Sequence, residues 1–174
     1  MIQEKERQST PEEMAGQGER LLGVIPDVYK SNFFGVKTPF DIIITSKRMI
    51  FVVQPANSWP ATGRLTSAEK YVGKTTAGIL SENKKNRVID KEQIKSVNFK
   101  LGKSYIDCCR KLVEVDGEVE VSLPETRHVF SVQFRRQSIA KNLLTRAGLP
   151  SLKIVQADSG TEEKPSSQGS CCSH

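Results

Sequence analysis

The strongest hydrophobic pattern in the chain lies between Val36 and Gln54. Two apolar runs, residues 42–44 and 49–53, flank the polar tetrad 45–48. β-Branched and aromatic residues on both sides of a short polar turn predict an antiparallel hairpin. Each run is nearly continuous rather than alternating, which indicates that both faces of the hairpin are covered. The hairpin is therefore expected in the middle of a sheet.

Further apolar runs and alternations predict five more strands around this hairpin. With the hairpin, the seven strands lie near residues 21–30, 39–45, 48–54, 94–101, 111–115, 118–123 and 128–134. Pro26 indicates a bulge or an edge position in the first of them, because proline cannot donate to a ladder. The dipeptide Asp116-Gly117, between alternating valines and acids, predicts a tight hairpin turn joining the fifth and sixth strands.

The remaining segments complete the predicted organisation. An apolar stripe at helical spacing predicts a helix over 137–147, which Gly148 and Pro150 end. Residues 55–92 form a long insertion between the third and fourth strands, with a helix expected over 66–80. The predicted parts are a flexible or short-helical lead-in over 1–20, a domain over 21–150 and a disordered tail, rich in Ser, Gly and Glu, over 151–174.

The central hairpin also resembles a known family. A strand ending in Ile-Thr, a turn with Lys-Arg and a strand of Ile-Phe-Val-Val, all within residues 42–53, resemble the second and third strands of pleckstrin-homology-like (PH-like) and GRAM-type domains. With the strand count and the last helix, the resemblance covers about 21–149. It implies a mainly β (α+β) fold: a PH-like curled antiparallel sheet of about seven strands, capped by a C-terminal helix, with a partly helical insertion between strands 3 and 4.

Charge is concentrated in the predicted domain. The chain carries a net charge of +6, yet residues 1–20 and 157–174 each carry −2, so the middle carries +10. Such a domain favours an anionic partner: acidic lipid head groups, nucleic acid or an acidic protein. A solvated basic surface without a dedicated ligand is the simpler alternative. Few aromatic residues interleave with the basic ones, which argues against a nucleic-acid stacking platform, and no nucleic-acid partner is expected.

The resemblance also indicates where lipid would bind. In many PH domains, basic residues across the first two strands bind phosphoinositides, and Lys30 and Lys37 lie in the matching region. Thr38 and Pro39 stand where that pattern has its closing basic pair, so the resemblance implies binding of low head-group specificity. Other basic residues cluster at the hairpin turn and in the insertion. The predicted lipid-binding residues are Lys30, Lys37, Lys47, Arg48, Lys84, Lys85 and Arg87.

Two adjacent cysteines, Cys171 and Cys172, stand two residues from the last residue of the sequence, after a spacer of small residues. This arrangement resembles the tails of Rab-type small GTPases, which are doubly prenylated. S-palmitoylation of either thiol is an alternative, and an incidental pair of thiols is a third interpretation. Two lipid chains would anchor the protein stably, whereas one would not.

No pattern supports catalysis. Residues 68–75 match a relaxed phosphate-binding loop, but no buried strand precedes them and an amphipathic helix explains them better. Cys108 and Cys109 lack the spacing of zinc ligands. A Cys108–His128 nucleophile and base pair has no supporting motif. We therefore expect no enzymatic activity, no cofactor and no metal site.

The sequence thus predicts a non-enzymatic PH-like module that binds anionic lipids. A PH-like protein-interaction adaptor in membrane trafficking or signalling is the alternative, and nucleic-acid binding is less favoured. The first thirteen residues lack the apolar region of a signal peptide, and no run of about 18 apolar residues occurs. We therefore expect a cytoplasmic protein, peripheral on the cytoplasmic face of membranes.

Overall fold

The computed structural model describes residues 13–14, 18–31, 33–55 and 69–156. The strands are β1 (Glu13–Met14), β2 (Glu19–Ser31), β3 (Lys37–Thr45), β4 (Arg48–Val53), β5 (Arg87–Asp90), β6 (Ser96–Lys100), β7 (Ser104–Ile106), β8 (Leu112–Glu114), β9 (Gly117–Ser122), β10 (Arg127–Val132) and β11 (Leu152–Val155). The α-helices are α1 (Thr76–Glu82) and α2 (Gln137–Arg146), and short 3-10 helices occur at Glu69–Tyr71, Lys91–Gln93 and Phe134–Arg136.

The main sheet is open and mixed. Its eight-strand row is β11-β6-β9-β10-β2-β3-β4-β5, and β1 pairs with β2 as a ninth strand. The β11–β6 pair is parallel and all other neighbours are antiparallel. The predicted mainly β fold with a C-terminal helix is confirmed. The predicted count of about seven strands is wrong, because β5 and β11 join the row and β8 leaves it.

The central hairpin, β3–β4, is covered on both faces, as predicted. Ile42 and Phe51 point to the inner face, where the core includes Leu143 and Leu144 of α2. Ile43 and Ile50 point to the outer face, where they pack with residues of the insertion. Successive strand residues point to opposite faces, so two covered faces require the continuous apolar runs seen in the sequence.

The sheet curls around its inner face. Phe51 of β4 and Phe130 of β10 have ring centroids 4.8 Å apart, although β2 and β3 lie between their strands. In a flat sheet three strand spacings would separate the two positions by about 14 Å. The curl brings the rings together, and α2 fills the concave side.

A bulge bends β2 at Pro26 and Asp27. The pairing register with β3 shifts between Ile25 and Val28, and Asp27 has a left-handed backbone with φ 54. Aspartate tolerates this conformation better than most residues. The Asp27 backbone N–H donates to Asp41 Oδ1 at 3.1 Å. The bulge predicted from Pro26 is confirmed.

The described part of the insertion is fastened to the outer face by Tyr71. Its hydroxyl donates to Asp41 Oδ2 at 2.8 Å and accepts from Gln54 Nε2 at 2.9 Å. Ile79 of α1 is also buried there. The helix predicted over 66–80 occurs as a 3-10 turn followed by α1, and residues 56–68 lie outside the described residues. Tyr71 and Ile79 of this segment are buried, whereas Val72 is exposed.

The hairpin turn predicted at Asp116-Gly117 is wrong. The strand before it, β8, pairs with β7, and the strand after it, β9, pairs with β6 and β10. The Asp116 carboxylate accepts hydrogen bonds from the Tyr29 hydroxyl at 2.8 Å and from the Phe134 backbone N–H at 3.0 Å. These distant partners draw Asp116 towards β2 and β10, so it cannot close a local turn.

The predicted ends of the domain also change. Residues 152–155, assigned to the disordered tail, form β11 beside β6, and Leu152 and Ile154 pack on the core. At the other end, β2 begins at Glu19, inside the predicted lead-in, and β1 pairs with its first residues. Residues 157–174, with Cys171 and Cys172, lie outside the described residues.

Truncation of Leu143 should destabilise the fold. Its side chain is buried and packs so close to β2 that a Cβ atom on Gly23 would lie 2.9 Å from Leu143 Cδ1. We expect Leu143→Ala to lower the free energy of unfolding by about 2–5 kcal/mol, measured by chemical denaturation. The control is Lys141→Ala on the exposed side of α2, with an expected change within about 0.5 kcal/mol. Equal effects of the two would contradict the role of α2 as the inner layer.

Removal of the Tyr71 hydroxyl should also be costly. Tyr71→Phe leaves Asp41 Oδ2 and Gln54 Nε2 without this partner in a buried place, so we expect a loss of about 1–3 kcal/mol in the free energy of unfolding. Tyr105→Phe, at an exposed tyrosine, is the matched control and should change stability little. A Tyr71→Phe variant as stable as wild type would mean that the hydroxyl does not fasten the insertion.

Candidate functional site

The topology gathers several loops at one end of the sheet. Strands β2, β4 and β9 finish there, and β3, β5, β6 and β10 begin there, as the antiparallel registers Ser31↔Lys37, Phe51↔Arg87, Ser131↔Tyr29 and Arg127↔Ser122 require. We call this the basic end. It comprises residues 30–37 around the β2–β3 loop, residues 84–87 at the start of β5, and the β9–β10 turn, residues 123–126.

Two of the predicted lysines flank the β2–β3 loop. Lys30 pairs with Thr38 and Ser31 pairs with Lys37, so Lys30 is the last residue but one of β2 and Lys37 is the first residue of β3. Both are exposed. Lys37 Nζ lies 4.3 Å from the centroid of the Tyr29 ring. This cation–π contact holds the ammonium group near the sheet.

Lys30 and Arg87 both lie within electrostatic reach of His128. The pKa of His128, on β10, is lowered below its ordinary value of 6.5, first by burial and then by the positive charges of Lys30 and Arg87. The ring of His128 packs on Phe51, with centroids 5.2 Å apart. Because one imidazole feels both cations, these residues of β2 and β5 belong to one electrostatic site, which disfavours the imidazolium form of His128. In this position His128 packs inside the curl, whereas Cys108 lies in the β7–β8 turn.

Lys47 and Arg48 lie at the opposite end of the sheet, in the β3–β4 turn. Arg48 is already engaged by acids: its Nε lies 3.0 Å from Asp90 Oδ1 and its NH1 lies 3.8 Å from Glu19 Oε2. The seven predicted residues therefore do not form one surface. Lys30, Lys37, Lys84, Lys85 and Arg87 share the basic end, and the last three are exposed.

The tip of the β2–β3 loop is apolar, which the sequence reasoning missed. Phe33 and Phe34 are 98% and 85% exposed, and Val36 is also exposed. The two aromatic rings pack edge to face with centroids 5.6 Å apart. Large apolar side chains grouped in the open mark an interaction surface. The available signal was Phe-Phe-Gly in a predicted loop between two lysines, where neither phenylalanine belongs to an alternating strand pattern.

The other candidate chemistry stays apart from this site. Cys108 and Cys109 are exposed in the β7–β8 turn, with sulfur atoms 3.9 Å apart, far beyond the length of a disulfide bond. The predicted lipidation sites, Cys171 and Cys172, lie outside the described residues. Among the residues that the structure describes, no helix combines the length and apolar character needed to cross a bilayer.

The electrostatic link to His128 can be tested directly. Lys30→Gln with Arg87→Gln removes two positive charges that disfavour the imidazolium, so the pKa of His128 should rise. An NMR titration of the imidazole measures it. Lys47→Gln, at the opposite end, is the control and should leave this pKa unchanged. A pKa that stays constant in the double variant would mean that Lys30 and Arg87 do not act on His128 and that the three residues do not form one site.

Comparison with known proteins gives little. No protein-family model matches the chain, and no curated protein sequence matches it. One similar solved structure is the hSac2 domain from the human phosphoinositide phosphatase Sac2. It has a TM-score of 0.42 and 8% sequence identity, over 80% of this chain and 78% of that chain. A likeness at this level carries no argument about function.

Proposed function

We propose that the protein is a non-enzymatic PH-like module whose basic end binds anionic membrane surfaces, with phosphoinositides or other acidic lipids as ligands. The observation that carries the proposal is the β2–β3 loop. In this loop the exposed residues Phe33 and Phe34 stand between the exposed lysines Lys30 and Lys37. Apolar side chains at the tip with cations behind them match the two layers of a bilayer interface, where acyl chains lie beneath anionic head groups.

The size of the electrostatic contribution to membrane binding fits a peripheral membrane protein. Each Lys or Arg near an anionic surface contributes about 1 kcal/mol, so the five basic-end residues supply at most about 5 kcal/mol before any desolvation cost. These five cations lie on separate segments, 30–37 and 84–87, which supports recognition of surface charge over a single head group. The interaction is therefore expected to be weak and sensitive to salt.

Insertion of the loop into the bilayer would add binding free energy to the electrostatic attraction. Phe33 and Phe34 expose most of their surface to water, and full burial of such a side chain contributes about 1.5–3 kcal/mol. Lipid attached to Cys171 or Cys172, as prenyl or palmitoyl groups, would add persistence on the cytoplasmic face of a membrane. In this proposal, charge brings the domain to the surface and the phenylalanines hold it there.

A PH-like protein-binding adaptor is the second candidate, and one feature favours it. Strand β5 is an edge of the open sheet, and Val88 on it is exposed. An edge strand presents backbone groups that an extended peptide can pair with. This function would depend on β5 and would not require the β2–β3 loop.

A matched pair of charge reversals tests the membrane proposal. Lys30→Glu with Lys37→Glu alters the basic end, and Lys47→Glu with Lys141→Glu makes the same change in net charge away from the basic end, in the β3–β4 turn and on the exposed side of α2. We expect the first pair to abolish cosedimentation with phosphatidylcholine–phosphatidylserine vesicles, because it places like charges at the surface. The second pair should weaken cosedimentation only slightly, and raised salt should weaken it in wild type. Circular dichroism confirms that each variant is folded.

The loop is tested in the same assay. Phe33→Ser with Phe34→Ser should weaken vesicle binding about tenfold or more, since each 1.4 kcal/mol corresponds to a factor of ten.

Equal losses of vesicle binding from the two charge-reversal pairs would mean that binding depends on net charge alone and that the basic end is not a binding site. Absence of vesicle binding by wild type would sink the membrane proposal and leave the adaptor as the first choice.

A further inference from the structure

The β7–β8 hairpin carries apolar residues that the domain does not bury. Ile106 and Leu112 are 70% and 66% exposed, and they pair directly across the two strands. Residues directly opposite each other in a ladder share a face. In the described part of the chain the hairpin forms a two-stranded sheet of its own, so no strand of the main sheet covers this pair. Large apolar side chains grouped in the open mark an interaction surface.

The hairpin leaves the main sheet away from the β2–β3 loop. Its connection, residues 101–116, follows Lys100, the last residue of β6, whereas β6 begins at the basic end. Lys100 pairs with Glu118 near the start of β9, and β9 runs from there to the basic end. A partner bound to the hairpin therefore does not cover the β2–β3 loop.

Asp107 holds the turn of the hairpin. Its Oδ1 accepts from the backbone N–H groups of Cys109 and Lys111, at 2.9 and 2.8 Å. Arg110 adopts a left-handed backbone with φ 58 within this turn. The Asp107 carboxylate is therefore used inside the hairpin, whereas Arg110 and Lys111 are exposed at its tip.

The backbone hydrogen bonds of the hairpin determine which groups face outward from β8. The Val115 N–H donates to the Lys103 carbonyl at 2.8 Å, and the Asp107 N–H donates to the Lys111 carbonyl at 2.9 Å. Hydrogen-bonded and non-hydrogen-bonded pairs alternate along an antiparallel ladder. The pair that contains Leu112 is therefore non-hydrogen-bonded, and the backbone N–H and C=O of Leu112 point to the outer edge of β8. Among the described strands, β8 pairs with β7 alone.

This outer edge of β8 is complementary to itself. Antiparallel pairing about a two-fold axis at Leu112 places Leu112 opposite Leu112 of a second copy, with two backbone hydrogen bonds between them. The same register brings the cationic tip of one hairpin, Arg110 and Lys111, beside Glu114 of the other. Glu114 is exposed and already lies 3.3 Å from Arg135 Nε, and a carboxylate has acceptor sites for more than one cation. Strand β7 lacks this complementarity because its acid is held inside the turn.

We propose that the β7–β8 hairpin binds a second copy of this chain, by antiparallel pairing of the two β8 strands into one four-stranded sheet. One face of that sheet carries a continuous apolar row, formed by Ile106 and Leu112 of both copies. Two hairpins bury little area compared with the about 1,200 Å² at which standard interfaces begin. The dimer is therefore reversible and forms as the protein concentration rises. It requires no lipid, so its test is independent of the proposed function.

Sedimentation of the full chain under reducing conditions tests self-association. From low micromolar to near-millimolar concentration, the weight-average mass of wild type should rise towards that of two chains. Leu112→Asp should remain a monomer, because it places two like charges on the two-fold axis. Lys84→Glu, at the basic end, is the control and should associate as wild type does. A wild-type chain that stays monomeric overturns the proposal and leaves the hairpin to a different protein, whatever the outcome with vesicles.

Cysteine cross-linking tests the register. The background without native thiols is Cys108→Ser, Cys109→Ser, Cys171→Ser and Cys172→Ser. In it, Leu112→Cys places two thiols on the two-fold axis at a Cα separation of about 5.5 Å, within the range of a disulfide. Oxidised glutathione should therefore cross-link this variant. Ile106→Cys, on the same face, is the control and should stay uncross-linked, since three strand spacings of about 14 Å separate its two copies. Equal cross-linking at both positions, or cross-linking at 106 alone, overturns pairing through β8.

A pair of charge variants tests the contact between tip and strand. Arg110→Glu and Glu114→Arg should each associate at least tenfold more weakly than wild type, because like charges then meet across the axis. An equimolar mixture of the two variants should form a mixed dimer, since each contact then joins opposite charges. A mixture that stays monomeric, or either variant associating alone as wild type does, overturns the proposal. Circular dichroism verifies that each variant folds.

Discussion

The buried carboxylate of Asp41 connects three parts of the molecule. It lies on β3 and accepts hydrogen bonds from the β2 bulge, through the Asp27 N–H, and from the insertion, through the Tyr71 hydroxyl. A buried carboxylate without donors is costly, so these contacts must form together. Burial still raises the pKa of Asp41 above 3.8. The folded state thus favours the protonated carboxyl, and this contribution, complete below pH 3.8, is lost as pH rises through the raised pKa.

The same constraint shapes the basic end. Because Asp41 holds the bulge, β2 bends at Asp27, and its last residues run from the middle of the sheet towards the basic end. Tyr29 then serves two neighbours: its ring carries the ammonium of Lys37 and its hydroxyl holds Asp116. On β3, Asp41 with its core contacts and Lys37 with its surface contact are therefore only four residues apart. A change that released the bulge would shift both the β2–β3 loop and Asp116, which Tyr29 holds.

Local patterns predicted the parts of the fold that depend on neighbours in sequence. The β3–β4 hairpin, the bulge at Pro26 and the helix near 137–147 all follow from runs of a few residues. Strand β11 escaped prediction because its partner, β6, lies more than fifty residues away and the segment is only four residues long. The Asp116-Gly117 turn failed for the same reason, since the residue that binds Asp116 lies 87 positions away.

The predicted site was divided by a single geometric fact. A nine-residue strand such as β3 is about 30 Å long, so the turns before and after it lie at opposite ends of the sheet. Lys37 and Lys47 could therefore never meet, although they are close in sequence. Phe33 and Phe34 were missed because aromatic residues are ordinarily assigned to a core. With the basic end on the membrane, as in the proposed function, Lys47 lies at the other end of β3 and faces away from the membrane. Edge strand β5 then rises from the surface with its outer side open. Membrane binding would thus leave that edge available to a protein strand, so the two candidate functions do not compete for one surface.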